Sequence, residues 1–291
     1  LDELWPNLGR LLDWAIAQLE GNSLYLIGDP ATGGKFGHWM REPKAKFTAW
    51  SNLPFQALLC RSSALASEQG RGEESARWTS AAERMAAAIR EHLVDEQGLF
   101  AAYPRGQSSD QPGQYDCALL LWAGIPDLGG GKALSERMFD PSVTPIASPF
   151  HGLFVTEGLF RYGEEQRAIA FIREYWGDML RRGATTMWEH FSPEWPESLT
   201  ISRGTSLCHG WSAGPTYSLP AHILGIQPLE PGFAKALIEP RLCGLSWAEG
   251  TVPTPHGPVS VRWSLNAAEL RLGVRLPDGC PGRVSLPAHG P

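Results

Sequence analysis

The sequence predicts a mainly helical protein followed by a small all-β region. Up to about Ile226 the apolar residues recur at helical spacing, after Pro228 they alternate with period two, and Gly/Pro/Ser/Asp clusters separate the runs. Leu4, Leu8, Leu11, Leu12 and Ala15 form the first apolar face, and a second helix is expected over 51–68. Ala81, Met85, Ala88, Ile89 and Leu93 mark a third. Shorter helices follow at 114–123, 131–138 and 149–162. Ala168, Phe171, Ile172, Tyr175, Trp176 and Leu180 mark the next, and 208–224 reads as the last. Consecutive helices with one apolar face each stack as αα-hairpins, in a toroid or a bundle. A connector such as Arg105–Gly113 is where a rigid scaffold would carry function. Strands are expected at 248–252, 259–263, 270–276 and 283–286, within a small antiparallel sandwich of five or six strands. The predicted division is therefore 1–226, helical, and 227–291, β.

Composition excludes several function classes. A net charge of -6 over 291 residues leaves no dominant basic face for nucleic acid, and polyanions in general are unexpected partners. The five cysteines (Cys60, Cys117, Cys208, Cys243, Cys280) are odd in number and lack a C-x-x-C pair. Buried free thiols are expected, with no disulfide framework and no metal site. No apolar run is long enough to cross a bilayer and no signal peptide is visible, so no membrane partner is expected. The chain begins at Leu1 without an initiator Met, which leaves localisation unknown, with the cytoplasm as the default. Twelve Trp exceed what a core of this size usually needs, and a sugar-binding cleft would use the surplus as stacking platforms. Any single Trp reads equally well as helix packing.

The most informative stretch is Gly183-Ala184-Thr185-Thr186-Met187-Trp188-Glu189-His190, followed by Ser206-Leu207-Cys208-His209-Gly210-Trp211. It sets a carboxylate and an imidazole among indole rings, on segments that read as loop or helix start. An apolar face beside a proton acceptor suits carbohydrate chemistry better than phosphate chemistry. The residues alone also allow a surface Glu189 near a helix end, a capping or buried His209, and a Trp211 in the core. Arg181-Arg182 reads as compensation of a helix C-terminus. Gly129-Gly130-Gly131-Lys132 reads as a flexible connector, since no Ser/Thr follows the Lys as a phosphate loop requires. Glu194 and Glu197 read as solvated loop residues.

These segments, with Ser148-Pro149-Phe150, Ile172–Leu180, Leu224-Gly225-Ile226, Trp247-Ala248-Glu249-Gly250 and Val252–Gly257, resemble in order and spacing the catalytic barrel and C-terminal β domain of glycoside hydrolase family 78, the α-L-rhamnosidases. The resemblance covers nearly the whole chain and is most specific from 172 to 257. It implies an (α/α)6 six-hairpin toroid and cofactor-free, inverting hydrolysis that removes terminal α-L-rhamnose from glycosides or oligosaccharides. In such chemistry one carboxyl protonates the leaving oxygen and another, roughly 6.5–9.5 Å away, activates water on the opposite sugar face. Glu189 matches the family's general base, and the adjacent Met187-Trp188 pair would partly withdraw it from water. His209 matches the imidazole that contacts rhamnose. Trp188 and Trp39 are the candidate apolar sugar contacts, although His38 stands where family members often place an Asp before Trp39.

The family's acidic loop, roughly Asp-x-x-x-x-Glu-x-x-Gly-Trp, is absent. About eight helices are predicted where six hairpins need twelve, so the chain reads as the later part of a larger barrel with the general acid upstream. Exposed inner faces of such a part would favour a homo-oligomer. Two other classes remain: another exo-glycosidase or a polysaccharide lyase on the same toroid, and a non-catalytic carbohydrate-binding remnant. A lyase needs a basic subsite, whereas the loop after Glu189 is acidic.

Overall fold

Three-residue turns between long helices force neighbours to pack as hairpins, and the described helices do so twice. The computed structural model describes residues 3–17, 19, 49–93, 113–196, 206–267 and 269–286. They fall into two compact units, Leu1–Pro145 and Ile146–Pro291.

The first unit holds α1 (Trp5–Ala17), α2 (Ala49–Glu68), α3 (Gly72–Leu93), α4 (Gln114–Ala123) and α5 (Leu128–Arg137). α2 and α3 form a hairpin whose turn needs Gly70, at φ 70°, a left-handed conformation that other residues adopt at a cost. Glu73 and Glu74 in the first turn of α3, and Arg90 and His92 in its last, complement the helix dipole. The core joins Trp5 and Leu12 to Leu59, Trp78, Ala81 and Met85. The Trp5 indole N–H donates to Glu74 at 3.1 Å, and the Arg71 guanidinium lies 4.5 Å above the Trp5 ring. The third predicted face is borne out at Ala81, Met85, Ala88 and Ile89. On α1 the face is rotated: Trp5 and Gly9 are buried, whereas Leu4 and Leu11 are exposed. Helix α4 is buried from Gln114 to Leu121. Gly129–Gly131 is no connector; Asp127 caps α5 by accepting from the Gly130 N–H, and the glycines form its first turn.

The second unit begins with the hairpin α6 (Pro149–Arg161) and α7 (Glu165–Arg181). Their close approach requires Gly152, because a Cβ there would sit 2.5 Å from the Trp176 ring. On α7 the apolar stripe turns inward through Met179, leaving Leu180 exposed. The predicted helix over 208–224 is instead three pieces: a 3-10 turn (Gly210–Ser212), α8 (Pro215–Ser218) and a π turn (Leu219–Ile223). Pro215 and Pro220 explain the break, since neither supplies the N–H that a continuous ladder needs.

The β region forms two three-stranded sheets. β3 (Trp247–Thr254), β4 (Gly257–Leu265) and β5 (Leu270–Arg275) make an antiparallel meander. β1 (Ile226–Glu230), β2 (Lys235–Ile238) and β6 (Gly282–Val284) make the other, where β2 and β6 pair in parallel, a departure from the purely antiparallel expectation. Trp263 anchors the meander: its buried indole N–H donates to the Ile223 carbonyl at 2.8 Å. Gly250 lets β3 approach Leu224, whose Cδ1 would lie 2.6 Å from a Cβ. Of the five thiols, Cys117, Cys243 and Cys280 are buried as expected, but Cys60 and Cys208 are exposed.

Candidate functional site

Two loops of the second unit, 183–190 and 206–209, are laced together through their backbones. The Glu189 N–H donates to the Ser206 carbonyl at 2.9 Å, and the His209 N–H donates to the Met187 carbonyl at 2.8 Å. The Thr186 hydroxyl donates to the Leu207 carbonyl. These bonds bring Glu189 and His209, twenty positions apart, onto one loop pair. Behind it, Ser148 donates to the Glu189 carbonyl at 2.9 Å and the Phe191 N–H donates to Ala147 at 3.0 Å, fixing the loop against the start of α6. The Tyr175 hydroxyl donates to the Phe191 carbonyl from α7.

The Glu189 side chain retains 26% exposure. Oε2 accepts from the Ser206 N–H at 3.1 Å, while His190 Nε2 stands 3.8 Å from Oε1. One oxygen is thus fixed by a backbone donor, and the other faces an imidazole and solvent, an arrangement that can orient a carboxylate and still let it accept a proton from water. His151, in the first turn of α6, is pushed down to about 4 by burial and by the nearby His190, so it is neutral at pH 7.

The exposure of the two tryptophans beside these groups is the reverse of the expectation. Trp188 is only 8% exposed, and its ring meets Phe191 edge-on at 5.8 Å within the packing on α7, so it offers no open platform. Trp211, read as core, is 70% exposed. Its ring lies 5.7 Å from His209 and 5.4 Å from Phe150, which in turn meets Phe154 edge-on at 5.4 Å. The open aromatic surface beside His209 is therefore Trp211 with Phe150. Trp39 lies outside the described residues, as does Glu197. Glu157 accepts from Ser218 at 2.8 Å and holds His222 at 3.1 Å through both oxygens, so this carboxylate is occupied by a buried network.

Arg182 does more than complement the C-terminal end of α7. Beyond its bond to Asp178 at 2.8 Å, it donates to the carbonyls of Trp195 (2.6 Å) and Pro193 (2.7 Å), clamping the segment that follows Glu189. Two positional signals could have pointed to the missed residues: His190 is the immediate neighbour of Glu189, and Trp211 follows His209 by a single glycine. Among the described residues no group of three or more His, Cys, Asp or Glu could hold a metal ion.

Comparison with known proteins decides the family. A family model for the bacterial α-L-rhamnosidase 6 hairpin glycosidase domain matches residues 1–223, and one for the bacterial α-L-rhamnosidase C-terminal domain matches 225–291. The chain belongs to the bacterial α-L-rhamnosidases. It is similar to a family 78 rhamnosidase of Bacillus sp. GL1, at 27% identity and TM-score 0.81, covering 98% of this chain and 31% of that one. It shares its fold with a Streptomyces avermitilis α-L-rhamnosidase solved with L-rhamnose, at 20% identity and TM-score 0.71, covering 99% of this chain and 27% of that one. An α-L-rhamnosidase of Alteromonas sp. (strain LOR) is 33% identical over 124 residues, which are 39% of this chain and 13% of the relative. The matched region thus amounts to about an eighth of that relative's length.

Proposed function

We propose that this chain carries the general-base half of an inverting glycoside hydrolase that releases terminal α-L-rhamnose from glycosides or oligosaccharides. The observation that carries the reading is the loop pair that holds both the partly exposed Glu189 carboxylate and His209 within the family's barrel region. Glu189 accepts a proton from water as that water attacks the anomeric carbon, and the Ser206 N–H keeps the carboxylate from turning away. His209 reads a sugar hydroxyl, and Trp211 with Phe150 offers the apolar contact assigned from sequence to Trp188 and Trp39. The acid that protonates the leaving oxygen is not assigned to Glu157, which is held by Ser218 and His222. We further propose the division 1–226, barrel, and 227–291, β domain. The substrate is a rhamnose-bearing glycoside, and no cofactor takes part.

The test is hydrolysis of a 4-nitrophenyl α-L-rhamnoside by the chain and by Glu189→Gln. Loss of the base lowers kcat by about 10²–10⁴ while L-rhamnose binding persists, because shape and one hydrogen-bonding oxygen remain. Unchanged kcat removes Glu189 from the role, and rhamnose binding without turnover by the unaltered chain supports the binding-remnant reading. Without acid assistance, unactivated rhamnosides should be cleaved far more slowly than the aryl substrate. Equal kcat/KM on both would place a working acid within the chain.

A further inference from the structure

We propose that the outward face of the β3–β4–β5 sheet binds a carboxylate-bearing polysaccharide. Strand register assigns that face. Trp247, Ser264 and Arg271 form one row across the sheet; Glu249, Arg262 and Gly273 form the next; Thr251, Ser260 and Arg275 form the third. The opposite face carries Val259, Val261 and Trp263, all buried, so the rows of the outward face are left to solvent. The second and third rows border a shallow, open depression of about 550 Å³.

Gly273 makes the floor of this depression, and packing does not require it. A Cβ there would meet nothing nearer than the Arg262 carbonyl at 3.8 Å, an ordinary contact, and its backbone does not have the positive φ that favours glycine. Gly250, on β3, is the contrast, because a Cβ there would sit 2.6 Å from the Leu224 Cδ1, which would have to give way. The register runs through Gly273 without a bulge, and close approach of a ligand to the backbone is one of the features that a strand glycine marks.

Charge selects the occupant. The face carries Arg262, Arg271 and Arg275 against a single Glu249, in a chain whose net charge is -6. Glu249 lies 3.7 Å from Arg262 with both side chains mostly exposed, and Arg271 pairs with Glu269 at 3.0 Å. Arg275 has no acidic partner among the described residues. Guanidinium forks match carboxylates in a bidentate geometry. Arg271 and Arg275 stand about 13 Å apart along one strand, so an extended acidic chain can engage both. Trp247, 62% exposed at the sheet edge, supplies a stacking surface for a sugar ring one row from the depression, and the Thr251 and Ser260 hydroxyls, 2.9 Å apart, supply neutral partners in the row of Arg275. The overall negative charge argued against polyanions; it averages over a face of opposite sign.

The experiment is affinity electrophoresis of the 291-residue chain in gels containing polygalacturonate, a rhamnose-free acidic polysaccharide, so that its outcome does not depend on hydrolysis. Polygalacturonate should retard the chain, and neutral dextran should not. Arg275→Glu and Gly273→Val should each weaken binding at least tenfold. Gly273→Val should leave the urea midpoint unchanged or raised, because a β-branched residue suits a strand. Absence of retardation, unaltered binding by either variant, or unfolding of Gly273→Val would each overturn the proposal. Equal retardation by single-stranded DNA would show a surface that sorts by charge alone, and would overturn the assignment to carbohydrate.

Discussion

Arg182→Ala should unfasten the segment behind the candidate base. The Arg182 side chain is 14% exposed and donates to Asp178, to the Pro193 carbonyl and to the Trp195 carbonyl, with its guanidinium 5.2 Å from the Phe191 ring. Hydrogen bonds involving a charged partner are worth about 1.5–3 kcal/mol each, but the three share one fork and their losses do not add. Asp178 keeps Arg181 at 3.4 Å, and the two carbonyls can be rehydrated once the loop opens. A net loss of about 3 kcal/mol follows, equivalent to a Tm decrease of about 6–12 °C for a unit of this size. Differential scanning calorimetry reads the decrease, and hydrogen exchange over 189–196 locates it. Arg182→Lys should recover less than half, since a single ammonium cannot span both carbonyls and Asp178. A Tm within about 2 °C of the parent for Arg182→Ala, with unchanged exchange over 189–196, would refute the clamp.

Three further outcomes are expected. Burial raises the Asp116 carboxyl from 3.8 to about 6, so the native state holds a proton that the unfolded chain has released; stability falls as pH rises through that window. The shift corresponds to about 3 kcal/mol, and Asp116→Asn should flatten the slope and stabilise the first unit at pH 7–8 in urea titrations. His151 has the opposite sign: with its folded value lowered from 6.5 to about 4, stability falls as pH drops through that range, and His151→Phe should abolish this loss in a pH series of the second unit's unfolding. Trp263→Phe deletes the bond to the Ile223 carbonyl and should cost about 1–3 kcal/mol by urea denaturation, whereas an unchanged midpoint would mean that the meander is not anchored there.

The local periodicities were sufficient to predict α3, α7 and the β3–β4–β5 meander, because an apolar stripe at spacing 3.6 or 2 has few other ways to leave water. The order of landmarks around Gly183–Glu189 and Ser206–Trp211 likewise pointed to the rhamnosidase family before any contact was known. Spacing along the chain could not tell which indole is open. Trp188 is buried against Phe191, which Tyr175 in turn holds from α7, and Trp211 is exposed on the 3-10 turn, both outcomes of packing between distant segments. The three-way reach of Arg182, the broken helix at Pro215 and Pro220 and the parallel β2–β6 pair were decided in the same way. The clearest case is glycine: Gly250 and Gly273 look alike in the sequence, and only the atoms facing each strand show that Leu224 crowds a side chain at one while the other opens onto solvent.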